Sequence, residues 1–355
     1  MTSTTSTATM RARFLHVANG TSTTDTIRDA GILGATAIWA DVLHDGPVPG
    51  GLSDEALLQV RARYLADTSE RDGHPSYDEI VAELRRWRAT IDAHDAYEEL
   101  ILWYEHDLFD QLNLIQVLDW IRRAQPVRQP VSLICIGSFP GRPRFKGLGE
   151  LTPDELASLL DTRQRISEAQ YALAERAWLA FRADDPRQIE TLIGGDTSAL
   201  PFLAAALRRH LEELPSTRDG LSRSERRLLQ LAQSAPLDLH AAFPRMHDEE
   251  TTFYIADGSF LQLARDLASA QPPLIVLDLA RPLEPAAHDA SAFTLTRGTV
   301  SLTETGRAVL AGTTDRVACC GLDRWFGGVH LQGREAAWRW DPGTARVVRT
   351  SIVHG

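Results

Sequence analysis

Three ionisable side chains in a row, Glu105-His106-Asp107, stand where an apolar run gives way to a helical pattern. Histidine changes charge near neutral pH and is the commonest metal ligand. A neighbouring carboxylate orients its ring and raises its basicity. Asp110 follows at helical spacing, so it shares a helix face with His106 and Asp107, and Gln111 extends the polar run. This composition suits general acid–base catalysis or metal ligation. It also suits plain helix capping, because carboxylates at a helix N-terminus are stabilised by the macrodipole. On that reading Asp107 is an N-cap and His106 a hydrogen-bonded turn residue.

Further groups carry related chemistry. Asp41 and His44 lie in Trp39-Ala40-Asp41-Val42-Leu43-His44-Asp45-Gly46-Pro47. With His106 they are candidate ligands for a divalent metal such as zinc, manganese or iron, although their spacing matches no established ligand motif. Alternatively, Asp45-Gly46-Pro47 merely reverses the chain. In Asn19-Gly20-Thr21-Ser22, backbone N–H groups and hydroxyls at a helix start suit a phosphate or carboxylate, and so does ordinary capping. Arg142 and Arg144, with Lys146, sit in a Gly/Pro-rich loop over Phe139–Gly149, suited to closing over an anion. No dinucleotide fingerprint, P-loop or nucleophile elbow is present.

The elements that must hold these groups read as alternating strands and helices. Strands are expected at Arg13–Ala18, Ala35–Ala40, Glu99–Tyr104 and Val131–Ile136, with helices between them. This predicts an α/β fold with a mostly parallel, Rossmann-like three-layer sheet. Right-handed crossovers place all four strand ends on one edge, where such sheets bind ligands. That edge would carry Asn19, Asp41, His44, Glu105, His106, Asp107 and Ser138. Thr152 to Leu214 reads as helical. After the linker Pro215–Gly220, helices at Ser222–Gln233, Leu237–Phe243 and Gly258–Ser269 precede strands at Leu274–Leu279, Ala292–Leu295 and Thr299–Leu302. That is winged-helix order. The expected division is a disordered tail (1–10), an α/β domain (11–150), a helical connector (151–215) and a winged-helix-like domain with a C-terminal extension (221–355).

The chain has 355 residues, 43% hydrophobic and 24% charged, enough apolar material for packed cores. Its net charge of -11 argues against a general nucleic-acid binder, though not against a local basic patch. The expected recognition helix, Asp257 to Asp266, holds one arginine and two aspartates, a poor match to DNA phosphates. The cysteines, Cys135, Cys319 and Cys320, form no C-x-x-C pair, which fits a reducing cytoplasm. No apolar run reaches membrane-spanning length.

Three segments, Leu15-His16-Val17-x-Asn19-Gly20, Trp39-x-Asp41-Val42-Leu43-His44-Asp45-Gly46-Pro47-Val48-Pro49 and Trp103-Tyr104-Glu105-His106-Asp107-Leu108-Phe109-Asp110-Gln111, resemble the bacterial family catalogued as domain of unknown function 1835. The resemblance covers about the first 150 residues. Leu302–Leu310 and Asp323–Gly328 look like the C-terminal half of longer members. It implies a soluble bacterial protein and brings no activity.

The expectation is therefore an enzyme. His106 is the acid–base group or metal ligand, oriented by Glu105 or Asp107, with Asp41 and His44 completing the catalytic cluster. Asn19, Ser22, Asp110, Gln111, Arg142 and Arg144 would bind substrate. The reaction class is hydrolysis or group transfer on a small phosphate- or carboxylate-bearing molecule, nucleotides included. The alternative is a ligand-sensing regulator whose winged-helix-like part contacts DNA or a protein.

Overall fold

The computed structural model describes residues 13–68, 75–124, 129–279 and 297–350. The expected tail at 1–10 and the expected strand Ala292–Leu295 lie outside them. The chain forms two compact units. One comprises Met1–Asp41, Ala82–His106 and Asp110–Glu175, and the other Val42–Val81, Asp107–Phe109 and Arg176–Gly355. They cut across the linear division expected from sequence. Residues 42–81 leave the α/β unit, while 151–175, expected in the connector, join it.

In chain order, the first elements are β1 (Phe14–Ala18), α1 (Thr21–Asp29), β2 (Ala35–Ile38), α2 (Asp54–Thr68), α3 (Tyr77–Asp92), β3 (Glu99–Glu105), α4 (Leu108–Arg123), β4 (Val131–Ile136), α5 (Pro153–Ala157), β5 (Gln164–Arg165) and α6 (Glu168–Phe181). The first unit is built on one sheet of order β2-β1-β3-β4-β5. Its first four strands run parallel, as expected, and β5 adds an antiparallel edge.

β3 is central, and Leu100 through Tyr104 are wholly buried. A parallel strand covered on both faces must be apolar throughout, and Leu-Ile-Leu-Trp-Tyr satisfies that. On one face Ile101 and Trp103 pack with Ala18, Ile27 and Ile134, and with Phe145, Leu148, Leu151, Leu156 and Leu159. Phe145 and Leu148 therefore anchor the loop that was expected to close over a substrate.

His16, wholly buried in β1, is held by two hydrogen bonds. Its Nδ1 accepts from Trp103 Nε1 at 3.1 Å, so Nε2 carries the proton and donates to the Leu33 carbonyl at 3.3 Å. Burial lowers its pKa, and the ring stays neutral.

The second unit continues with α7 (Arg187–Ile193), α8 (Leu203–Leu211), α9 (Arg223–Leu231), β6 (Leu237–Asp238), α10 (Leu239–Met246), α11 (Asp257–Ser269), β7 (Ile275–Leu279), β8 (Gly298–Leu302), α12 (Glu304–Leu310), α13 (Arg316–Cys320), β9 (Leu322–Phe326), β10 (Val329–Gly333), β11 (Trp338–Asp341) and β12 (Arg346–Arg349). Strands β6, β8 and β7 form an antiparallel sheet in that order. The helix expected at Leu237–Phe243 begins two residues later. Asp238 ends β6 and caps α10 by accepting from the Ala241 N–H. The hairpins β9–β10 and β11–β12 were not expected.

Charge is heavily buried here. Arg209 bonds Glu213 at 2.6 Å and Glu250 at 2.8 Å, and these neighbours keep its pKa raised despite burial. His210, 1% exposed, stacks on Phe326 with 3.9 Å between ring centroids, and among the described residues neither nitrogen has a hydrogen bond. Burial first, then the charges of His44, Arg209 and Arg324, outweigh Glu213 and push its pKa down to about 3.

Two predictions follow from these packing facts. Gly34 has φ of +150°, and a Cβ there would lie 2.7 Å from the Phe14 carbonyl and 2.8 Å from the His16 ring. Gly34→Ala should lower the unfolding free energy by about 3 kcal/mol in urea titration; an unchanged midpoint would contradict this packing. For His210 the folded pKa lies below the unfolded value of 6.5. The unfolded state therefore takes up its proton first as pH falls. Stability present above pH 6.5 should be lost toward pH 3, at about 1.4 kcal/mol per pH unit from this residue. His210→Phe should flatten that part of the stability–pH curve.

Candidate active site at the end of the parallel sheet

In the order β2-β1-β3-β4 the chain leaves β1 toward one side of the sheet and resumes at β3 on the other. This reversal is a topological switch point at the carboxyl ends of β1 and β3, the usual ligand position in open α/β sheets. Asn19 directly follows β1, and Glu105 closes β3.

These two residues form a polar frame with the first turn of α4. Asn19 Nδ2 donates to Glu105 Oε1 at 3.0 Å and to Asp110 Oδ1 at 2.8 Å. Thr23 Oγ1 donates to Asn19 Oδ1 at 3.1 Å, which fixes the amide's orientation. The Glu105 N–H donates to Asp110 Oδ2 at 2.5 Å, and the Leu148 N–H donates to Glu105 Oε2. Gln111 Nε2 donates to the Glu105 carbonyl at 2.6 Å. Glu105, Asp110 and Gln111 are all buried. Burial together with Asp110's charge pushes the Tyr104 phenol well above its usual pKa.

The frame alters several expected roles. Asp110 and Gln111 hold the end of β3 in shape and present no exposed surface to a substrate. Glu105 is a framework carboxylate bonded on both oxygens. His106 is half-buried at the strand end, its ring 6.2 Å from that of Phe145 between centroids. Ser22 is exposed on α1 and donates to the Gly149 carbonyl at 3.4 Å. Arg142 is engaged by Glu155 through bonds of 3.2 and 2.6 Å, and this pairing lowers the Glu155 pKa to about 2. It is therefore committed within the fold and not held open for an anion. Arg144 is exposed on the same loop.

Asp41 is buried, with its peptide clamped by Asn113. The Asp41 N–H donates to Asn113 Oδ1, and Asn113 Nδ2 donates to the Asp41 carbonyl, each at 2.9 Å. His44 and Asp107 belong to the second unit. Asp107 occupies the position just before α4 and is buried. His44 is walled by Phe253 and Phe109 at centroid distances of 4.9 and 6.1 Å. The turn that carries it is held by buried Arg61, which donates to the carbonyls of Val42 at 2.9 Å and Asp45 at 2.7 Å. Among the described residues no three His, Cys, Asp or Glu side chains are grouped to hold a metal. Of the expected set, Asp41 and His106 belong to the first unit and His44 to the second.

Two framework residues escaped the sequence reading: Asn113 and Gly147. A Cβ at Gly147 would fall on the Glu105 carboxylate. Asn113 carried a usable signal. It lies one helical step beyond Asp110 in a helix whose Leu112, Leu114, Ile115, Val117 and Leu118 are wholly buried, and a polar residue buried there needs an assigned partner.

No protein-family model and no curated protein matches the chain.

Asn19 separates two buried carboxylates. Asn19→Ala should lower the unfolding free energy by about 3 kcal/mol, since each hydrogen bond to a charged group contributes ~1.5–3 kcal/mol. Asn19→Asp, which adds a third carboxylate, should cost more. Equal stability of the wild type and both variants in guanidinium titration would refute the bridging role.

Proposed function

We propose that the protein binds a small phosphate- or carboxylate-bearing molecule at the β1/β3 switch point and acts on it by hydrolysis or group transfer. The observation that supports this most is the start of α1. Its N-cap is Gly20, which supplies no side-chain acceptor, and its first turn holds no acidic residue. The first-turn N–H groups and the helix dipole then favour an anion, beside Ser22 and next to the rigid Asn19 frame. Exposed Arg144 would draw the anion in, while Arg142 stays with Glu155. His106 would take a proton from the attacking water or hydroxyl and return it to the leaving group. Nucleotides fall within this class.

A second reading rests on a specific observation. The order α9, β6, α10, α11, β7, β8 with its antiparallel sheet is compatible with the expected winged-helix-like domain. Three of its cations are engaged internally. Arg223 pairs with Glu212, Arg226 with Asp219 and Arg227 with Glu249. That arrangement favours contact with a protein over contact with DNA. The resemblance to domain of unknown function 1835 is compatible with either reading.

Thermal unfolding with a panel of nucleotides, sugar phosphates and small carboxylates tests the first reading. A true ligand at ~100 times its Kd should stabilise the fold by about 2.7 kcal/mol. His106→Gln should keep that stabilisation and lose turnover by a factor of ~100 or more. No stabilisation by any member, or unchanged turnover in His106→Gln, would defeat the proposal.

A further inference from the structure

Cys319 and Cys320 are consecutive residues closing α13, and both are half-buried free thiols. Their Sγ atoms lie 3.0 Å apart. Cys319 Sγ faces the Arg316 carbonyl at 3.5 Å, and Cys320 Sγ donates to the Pro272 carbonyl at 3.2 Å. Two thiols this close can either join directly or share a third atom.

Direct joining is opposed by the backbone. Consecutive Cα atoms across a trans peptide lie ~3.8 Å apart, whereas disulfides span ~4.4–6.8 Å. The helical bonds here are also made. The Cys319 N–H donates to the Asp315 carbonyl at 3.0 Å and the Gly321 N–H to Val317 at 2.8 Å. A strained disulfide is readily reduced again. Zinc takes four ligands, and no third His, Cys, Asp or Glu joins this pair among the described residues. What fits is one thiophilic atom with two exchangeable positions and a pyramidal geometry.

We propose that Cys319 and Cys320 form a chelating site for monosubstituted trivalent arsenicals. In the reaction two As–O bonds break and two As–S bonds form. Each thiol proton leaves on a departing hydroxyl as water, and arsenic stays trivalent. No prior thiolate is required, because the proton moves onto the leaving oxygen. That suits a pair whose Cys320 thiol is pushed up to about 12, by burial first and then by Cys319. Arg316 and Arg334 supply positive charge as the S–H bonds break. The pair belongs to the second unit, and the site does not depend on the function proposed for the first.

The full-length protein treated with phenylarsine oxide tests this by intact mass and thiol counting. One adduct per chain is expected, with the three free thiols falling to one. The adduct should resist a monothiol and be released by a vicinal dithiol. Cys319→Ser and Cys320→Ser should each lose the monothiol-resistant adduct by ~100-fold, while Cys135→Ser keeps it. Peptide mapping of the wild-type adduct, which needs no variant, should place it on the fragment holding both residues. Failure to form an adduct, its persistence in both serine variants, or mapping to Cys135 would overturn the site.

Discussion

The Asn19 amide, set between two buried carboxylates, is the contact on which the sheet end depends. Glu105 and Asp110 are brought close by the strand–helix junction itself, since five residues separate them. Unscreened in a low-dielectric interior, they would repel. Asn19 bonds both, the Glu105 peptide bonds Asp110, and the Leu148 peptide bonds Glu105. One network thereby joins the end of β1, the end of β3, the first turn of α4 and the loop after β4. Gly147 is required beside it because any side chain there would meet the Glu105 carboxylate.

This arrangement decides what chemistry is left. Carboxylates saturated by internal donors make poor metal ligands and poor general bases. The proposed reading accordingly gives the chemistry to His106 and the anion to the start of α1, which directly follows the frame residue Asn19. The second unit follows the same rule. Arg209, Arg223, Arg226 and Arg227 are paired within the fold, so a count of arginines overstates the cationic surface offered to a partner. His210 is the exception, a buried ring kept neutral by its surroundings.

Much of the first unit was legible from pattern. The apolar runs of β1, β3 and β4, cut by glycine and polar residues, marked parallel strands, and the strand-end position of Glu105 and His106 followed from them. The hairpins β9–β12 were not legible. Their strands are four or five residues long and mix arginine, aspartate and tryptophan, so alternation is weak. The segment Phe139–Gly149 is the loop its glycines and prolines signalled, but that Phe145 and Leu148 reach into the core was not legible.

By itself the sequence determined the parallel strands and the identity of the residues at their ends, because periodicity and strand termini are local properties. Tertiary structure alone decided which of those residues remain available for chemistry. Whether a carboxylate or guanidinium is held within the fold depends on which partner lies within 3 Å of it. Those partners, Asn19 for Glu105 and Asp110 and Glu155 for Arg142, come from 13 to 91 residues away along the chain.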